Sequence, residues 1–184
     1  MGEKLLQSLR DAPVVKKGDY DYFVHPLTDG VPAIDPDLLR EVCHEIIELA
    51  DCDADKILTA EAMGIPLGTA LSLASGLPLS IIRKRPYGLP GEIAVEQETG
   101  YSKGMLYING LKRGDRVLLV DDVVSTGGTL LAIAEALEKA GVEVCDIVVI
   151  FEKGPGKEAL EKRFGRQIKT LLRIDVRNGR VEPV

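Results

Sequence analysis

The chain has 184 residues, of which 45% are hydrophobic and 28% charged, and a formal net charge of −6, as expected for one globular domain with a sizeable core. The acidic balance argues against nucleic acid as the main partner, because that affinity comes from clustered Lys and Arg neutralising phosphates; any phosphate site must be local. No apolar run approaches the roughly 20 residues of a membrane-spanning helix, and the opening MGEKLLQSLRDAP lacks the pattern of a signal peptide, so we expect no membrane contact and a cytoplasmic location.

In chain order, Leu5, Leu6 and Leu9 share one face of a short N-terminal helix. Tyr20 to Val24 reads as a strand, and Asp35-Pro36 supplies an N-cap and first-turn proline for a helix carrying Leu39, Val42, Ile46, Ile47 and Leu49. Cys43, Cys52 and Cys145 form no CxxC pair and read as packing residues in a reducing compartment; Cys43, His44 and Cys52 lack zinc-ligand spacing. Lys56 to Thr59 is a short buried strand, followed by a helix from Pro66 that ends at Gly76, then a strand at Leu79 to Ile82. Arg83 to Lys103 shows no lasting periodicity and is rich in Gly, Pro and charge, which predicts a long binding loop or lid, with a frail hairpin as an open alternative within it. Strands follow at Met105 to Ile108 and Arg116 to Val120, then a loop at Asp121 to Gly128 and a helix at Leu130 to Ala140. A strongly apolar central strand, Val144 to Phe151, a helix, Lys157 to Arg163, and a last strand, Ile168 to Ile174, complete the pattern. Alternating apolar runs and amphipathic stretches of this kind indicate an α/β fold, here one domain over residues 1–184.

The most informative segment is Arg116 to Thr129, RVLLVDDVVSTGGT. Open α/β sheets bind ligands beyond the carboxyl ends of their strands, so side chains after Val120 arrive where a substrate sits. Gly127 and Gly128 allow positive φ and close approach of consecutive amides to an anion at a helix N-terminus, and Ser125, Thr126 and Thr129 add hydroxyl donors. Asp121 and Asp122 end an apolar strand, where desolvation and mutual repulsion oppose them unless something uses them. Vicinal ribose hydroxyls would do so, as would a plain helix-capping role. The string is neither GxxxxGK[ST] nor GxGxxG.

It closely resembles the motif that binds phosphoribosyl pyrophosphate (PRPP) in the type I phosphoribosyltransferases. The resemblance implies that fold: a mostly parallel central sheet flanked by helices, a small hood from residues near 14–34 and 151–184, and a mobile loop over 83–103. It implies that Ser125, Thr126, Gly127, Gly128 and Thr129 hold the 5′-phosphate and that Asp121 and Asp122 face the ribose hydroxyls. In that family the loop after the second core strand touches pyrophosphate, which here falls on Glu61, Ala62, Met63 and Gly64. Met63 stands where the adenine branch often has Arg, so Arg83, Lys84 and Arg85 become the source of positive charge for the departing pyrophosphate, the alternative being a solvated basic tip. RKRPYGLPGE looks like the start of the family's hood, with Tyr101 and Lys103 at its far end. Mg²⁺ is implied, arriving with PRPP rather than through a protein cage.

The stretch VVIFEKGPGKEALEKRFGRQIKTLLRI is similar to xanthine phosphoribosyltransferases and IRKRPYGLPGE to adenine ones; with KGDYDYFVHPLTDGVP, nearly the whole chain resembles the archaeal-type hypoxanthine/guanine enzymes. By that resemblance Lys153 donates to the carbonyl of a 6-oxopurine, His25 contacts the base and Phe151 stacks on it. For each the rival is structural: a surface lysine, a partly buried histidine, a core phenylalanine. Ser125 replaces an Asp found in another branch near the purine ring nitrogens, which leaves proton removal to Asp122, to water or to another group; Asp122, Arg83 and Lys103 are the catalytic expectations. A homodimer is implied by resemblance alone. The rival functions are an adenine or xanthine phosphoribosyltransferase and a PRPP- or purine-sensing regulator, which would carry a basic face.

Overall fold

The computed structural model describes residues 2–18, 20–50, 53–98 and 103–184. A helix, α1 (Glu3–Leu9), leads into a hairpin of β1 (Val14–Lys17) and β2 (Tyr20–Phe23), a single helical turn α2 (Pro26–Asp29) and the long α3 (Pro36–Leu49). Asp35 caps α3 by accepting from the amides of Asp37 and Leu38, and Pro36 occupies the first turn, where its missing N–H has no partner to lose. Next come β3 (Lys56–Ala60), α4 (Gly64–Ser75), β4 (Leu79–Ile82) and the hairpin β5 (Ile93–Glu98) and β6 (Lys103–Ile108). The chain closes with β7 (Arg116–Val124), α5 (Gly128–Ala140), β8 (Glu143–Glu152), α6 (Gly156–Phe164), β9 (Lys169–Arg177) and β10 (Arg180–Pro183). Gly76 and Gly141 end α4 and α5 in the left-handed conformation that the sequence places there.

The main sheet has the order β10-β9-β8-β7-β3-β4, parallel except for the β9–β10 edge. Alternate residues of its central strands feed two separate cores. Leu118, Val120, Val148 and Ile150 pack with α1, α3 and α4 residues such as Leu5, Ile46 and Leu71, whereas Val117, Leu119, Ile147 and Val149 pack with Leu130, Ile133 and Leu137 of α5 and with Val95 and Leu106 of the β5–β6 hairpin. Covering on both faces explains why these strands read as continuous apolar runs.

Chain order reverses at one place in this sheet: β3 leads outward to β4, while β7 leads the other way to β8 and β9. The crevice beyond the carboxyl ends of β3 and β7 is therefore the topological switch point, where open α/β sheets place their ligands.

Three expectations are corrected. The segment after Arg83 holds a six-pair antiparallel hairpin, β5 with β6, whose Val95, Leu106 and Ile108 are buried; its apolar side packs on the second core, and that contact supplies order that local propensity lacks. β7 runs four residues past Val120, so Asp121 and Asp122 are strand residues rather than the start of a loop, held by pairing with β8. The last strand is β10, formed because the turn at Asn178, with φ of 51°, and Gly179, with φ of 73°, folds the C-terminus back on β9.

Candidate active site

A cleft of about 580 Å³ opens at the switch point. Its floor comes from the ends of β3 and β7, its roof from β2, and one flank from the β5–β6 hairpin, represented by Gln97 and Leu106.

From the β7 side, Asp121 and Asp122 line the cleft, with the Asp122 amide donating to Asp121 Oδ1 at 3.0 Å. Burial raises the pKa of Asp121, and Asp122 is pushed well above the carboxylate range by burial first and by the adjacent Asp121 charge second. Ser125 to Thr129 follow, all lining the cleft. Gly127 stands at the N-cap of α5 with φ of 78°, and no side chain caps that helix. Among the described residues, the helix thus presents N-terminal amides without a side-chain cap, the positive end of its dipole and no acidic residue in its first turn. Thr129 Oγ1 donates to Gln97 Oε1 at 3.1 Å, and Tyr20 Oη lies 3.4 Å from Ser125 Oγ.

From the β3 side, Glu61, Ala62, Met63 and Gly64 line the opposite edge, with a cis peptide between Glu61 and Ala62. The Glu61 carboxylate is engaged by the segment after β4: it forms an ion pair with Arg83 Nε at 2.8 Å and accepts from the Lys84 amide. Gly64 is sterically required, since a Cβ there would lie 1.9 Å from Thr59 Oγ1. Of the three cations after β4, Lys84 lines the cleft, Arg83 is engaged with Glu61, and the exposed Arg85 lies over Tyr87, 5.4 Å from the ring centroid and with a hydrogen bond of 3.3 Å to its hydroxyl. Cys52, Tyr101 and the side chain of Lys103 lie outside the described residues.

The base-contact expectations meet a different geometry. His25 is fully buried: Nδ1 accepts from the Leu27 amide at 3.2 Å as the cap of α2, and Nε2 lies 2.8 Å from Ser8 Oγ. Its burial lowers its pKa to about 4, against a smaller opposing pull from Asp29. Phe151 is likewise fully buried, its ring edge-on to Phe23 and His25 at 5.6 and 5.0 Å. Both expectations are corrected: an interior strand and a helix cap turn these rings into the core. The aromatic wall of the cleft is supplied instead by Tyr20, Tyr22 and Phe23 of β2, with Tyr22 Oη donating to Asp29 Oδ1 at 2.6 Å. Lys153 is also buried, its ammonium donating to the Asp21 carbonyl and lying 3.7 Å from the Tyr20 ring centroid. The one signal for this wall was the alternation in YDYF, which marks a strand but not what it faces.

The cleft thus combines paired acids at a strand end, a glycine-led helix start and a second backbone loop across the crevice, and the chain as a whole is similar to known proteins. A family model described as the phosphoribosyl transferase domain covers residues 35–179. The chain belongs to this family. A hypoxanthine/guanine phosphoribosyltransferase of Methanocaldococcus infernus is 59% identical over 97% of this chain and 98% of its own length, and one of Ferroglobus placidus is 58% identical over 100% and 98%. Among solved structures, the adenine phosphoribosyltransferase of Thermoanaerobacter pseudethanolicus superposes with a TM-score of 0.73 at 27% identity, covering 93% of this chain and 98% of that one. The phosphoribosyltransferase fold thus accounts for the parallel sheet, the switch-point cleft and the hairpin beside it.

Proposed function

We propose that this phosphoribosyltransferase transfers the 5-phosphoribosyl group of PRPP to hypoxanthine or guanine, forming IMP or GMP and releasing pyrophosphate. The observation that carries the reading is the identity of 55–59% over nearly the full chain to relatives named for that activity.

In this reading the amides of residues 125–129 and the start of α5 hold the 5′-phosphate without any lysine. Asp121 and Asp122 accept the ribose hydroxyls, an interaction that relieves two carboxylates otherwise held in a desolvated place. The 61–64 backbone and Lys84 receive the pyrophosphate, with Arg83 joining from its pairing with Glu61. Positive charge and amides placed there stabilise the departing group as the anomeric carbon gains oxocarbenium character. Asp122, whose raised pKa suits it to accept a proton, takes the purine proton directly or through water. The β5–β6 hairpin, with Lys103 at its turn, excludes water that would otherwise hydrolyse PRPP. The paired carboxylates fit a hard divalent ion that takes most of its ligands from substrate and water, so Asp121 and Asp122 would help hold Mg²⁺, which would supply positive charge to offset that of the departing pyrophosphate. Lys153 reads the 6-oxo group by exchanging the Asp21 carbonyl for that of the purine, and adenine, with an amino group there, offers the ammonium no acceptor. A homodimer and a cytoplasmic setting belong to the same proposal; among the described residues no helix is long and apolar enough to cross a membrane.

The test is incubation with Mg²⁺, PRPP and hypoxanthine, guanine, xanthine, adenine or orotate in turn, with nucleotides separated by chromatography. IMP and GMP are the expected products. AMP or XMP alone would reassign the base, and no nucleotide from any base would leave a ligand-binding regulator. Lys153→Ala lowers kcat/KM for both oxopurines at least tenfold; unchanged turnover would remove Lys153 from the base site.

A further inference from the structure

The backbone of the turn between β8 and α6, Lys153 to Gly156, lies outside the cleft lining and is built against the phosphate loop, whatever the Lys153 ammonium contacts when a base is bound. The Lys153 amide donates to the Val124 carbonyl at 2.9 Å and the Gly156 amide to the Ser125 carbonyl at 2.8 Å. A peptide unit is planar and trans, so its C=O and N–H point in opposite directions. Holding the carbonyls of Val124 and Ser125 outward on the turn therefore aims the amides of Ser125 and Thr126 the other way, toward the cleft. A free loop would have no such preference, and a carbonyl rotated inward would repel an anion.

The contact leaves no room for side chains. A Cβ on Gly156 would lie 2.3 Å from the Ser125 oxygen and 2.5 Å from both the Gly127 nitrogen and the Thr126 carbonyl carbon; one on Gly127 would lie 2.7 Å from the Gly156 oxygen. All of these are backbone atoms, which cannot swing aside as a side chain end would. Gly127 has a conformational reason to be glycine, with φ of 78°. Gly156 has no positive φ, so close approach alone explains it.

We propose that the Lys153–Gly156 turn is a positioning element that sets the peptide orientation of the phosphate loop, with Gly156 as the residue on which it depends. The inference rests on the reading of residues 125–129 as a phosphate site, and it locates the control of PRPP affinity partly outside the cleft. It also ties that loop to the β1–β2 hairpin, since the same Lys153 that bonds Val124 through its backbone bonds the Asp21 carbonyl of β2 through its ammonium.

The experiment compares Gly156→Ala with Gly165→Ala, which perturbs the far end of the same helix: Gly165 has φ of 65° and open space around it. Binding of ribose 5-phosphate is measured by calorimetry, alongside KM for PRPP, KM for the base, and Tm. Gly156→Ala weakens ribose 5-phosphate and raises KM for PRPP at least tenfold, with KM for the base within twofold, while Gly165→Ala lowers Tm without moving either affinity. Wild-type affinity for ribose 5-phosphate in Gly156→Ala, or an equal loss in Gly165→Ala, would overturn the proposal. Amide hydrogen exchange on the unmodified protein covers the case in which Gly156→Ala does not fold: saturating ribose 5-phosphate slows exchange at Lys153 and Gly156 at least threefold, and no change at either would equally refute it. Absence of nucleotide formation by the wild-type enzyme would sink the proposed activity, whereas the binding and exchange measurements read the loop without turnover.

Discussion

Gly64 begins α4 directly under the loop that follows β3, and replacing it with alanine separates steric from conformational causes. The new Cβ would lie 1.9 Å from Thr59 Oγ1 and 3.1 and 3.3 Å from its Cβ and Cγ2. Thr59 is fully buried, and its hydroxyl donates to the Val120 carbonyl at 2.8 Å, tying β3 to β7 at the base of the cleft. Its branched side chain has few alternative rotamers, so the hydroxyl must leave its acceptor or the 61–64 loop must move. Overpacking costs about 1–3 kcal/mol and a buried hydroxyl without an acceptor about 1–3 kcal/mol. For a chain of this size each kcal/mol shifts Tm by about 2–4 °C, so Gly64→Ala lowers Tm by about 10 °C in thermal melts followed by circular dichroism. Thr59→Ala removes two of the three crowding atoms, so adding it to Gly64→Ala restores part of the loss, with a coupling of about 1.5 kcal/mol or more in a double-mutant cycle. Strictly additive penalties, or a Gly64→Ala protein as stable as wild type, would refute the steric reasoning.

Two titrating groups give further predictions. Asp122 has a folded pKa raised by burial first and by Asp121 second, so its favourable contribution is complete below the ordinary carboxylate range and is lost as pH rises through the raised folded value. Asp122→Asn therefore raises the Tm of the ligand-free protein by a few degrees at pH 7 while reducing nucleotide formation at least ~10-fold, with the gain shrinking toward pH 4. His25 has the opposite sign: its pKa is lowered from 6.5 to about 4, so the stability it supplies is complete above pH 6.5 and is lost as pH falls toward 4, about 3 kcal/mol across that window. His25→Gln flattens this acid limb in melts recorded from pH 7 to 4, whatever its offset at pH 7; a limb of unchanged slope would remove His25 as its cause.

By itself the sequence determined whatever depends on neighbours along the chain. The Asp35-Pro36 cap, the closing glycines at 76 and 141 and the glycine-led phosphate loop after a strand are local devices, because each is a requirement on φ or on a few consecutive amides. What only the tertiary structure decided is what those pieces face. Phe151 and His25 were chemically suited to a base and lie in the core instead, because the strand's pairing and the cap of α2 aim them inward. Tyr20 and Tyr22 reach the cleft because the hairpin carrying them folds over β7, more than 90 residues away in sequence. Gly156 carries no local signal at all, since its requirement is the close packing that would leave a Cβ only 2.3 Å from the Ser125 oxygen, and that packing exists only once β7 and β8 lie side by side. Chain-local energetics write the loop into the sequence, but the direction of its amides is set by a neighbouring strand end, and that depends on packing between distant segments.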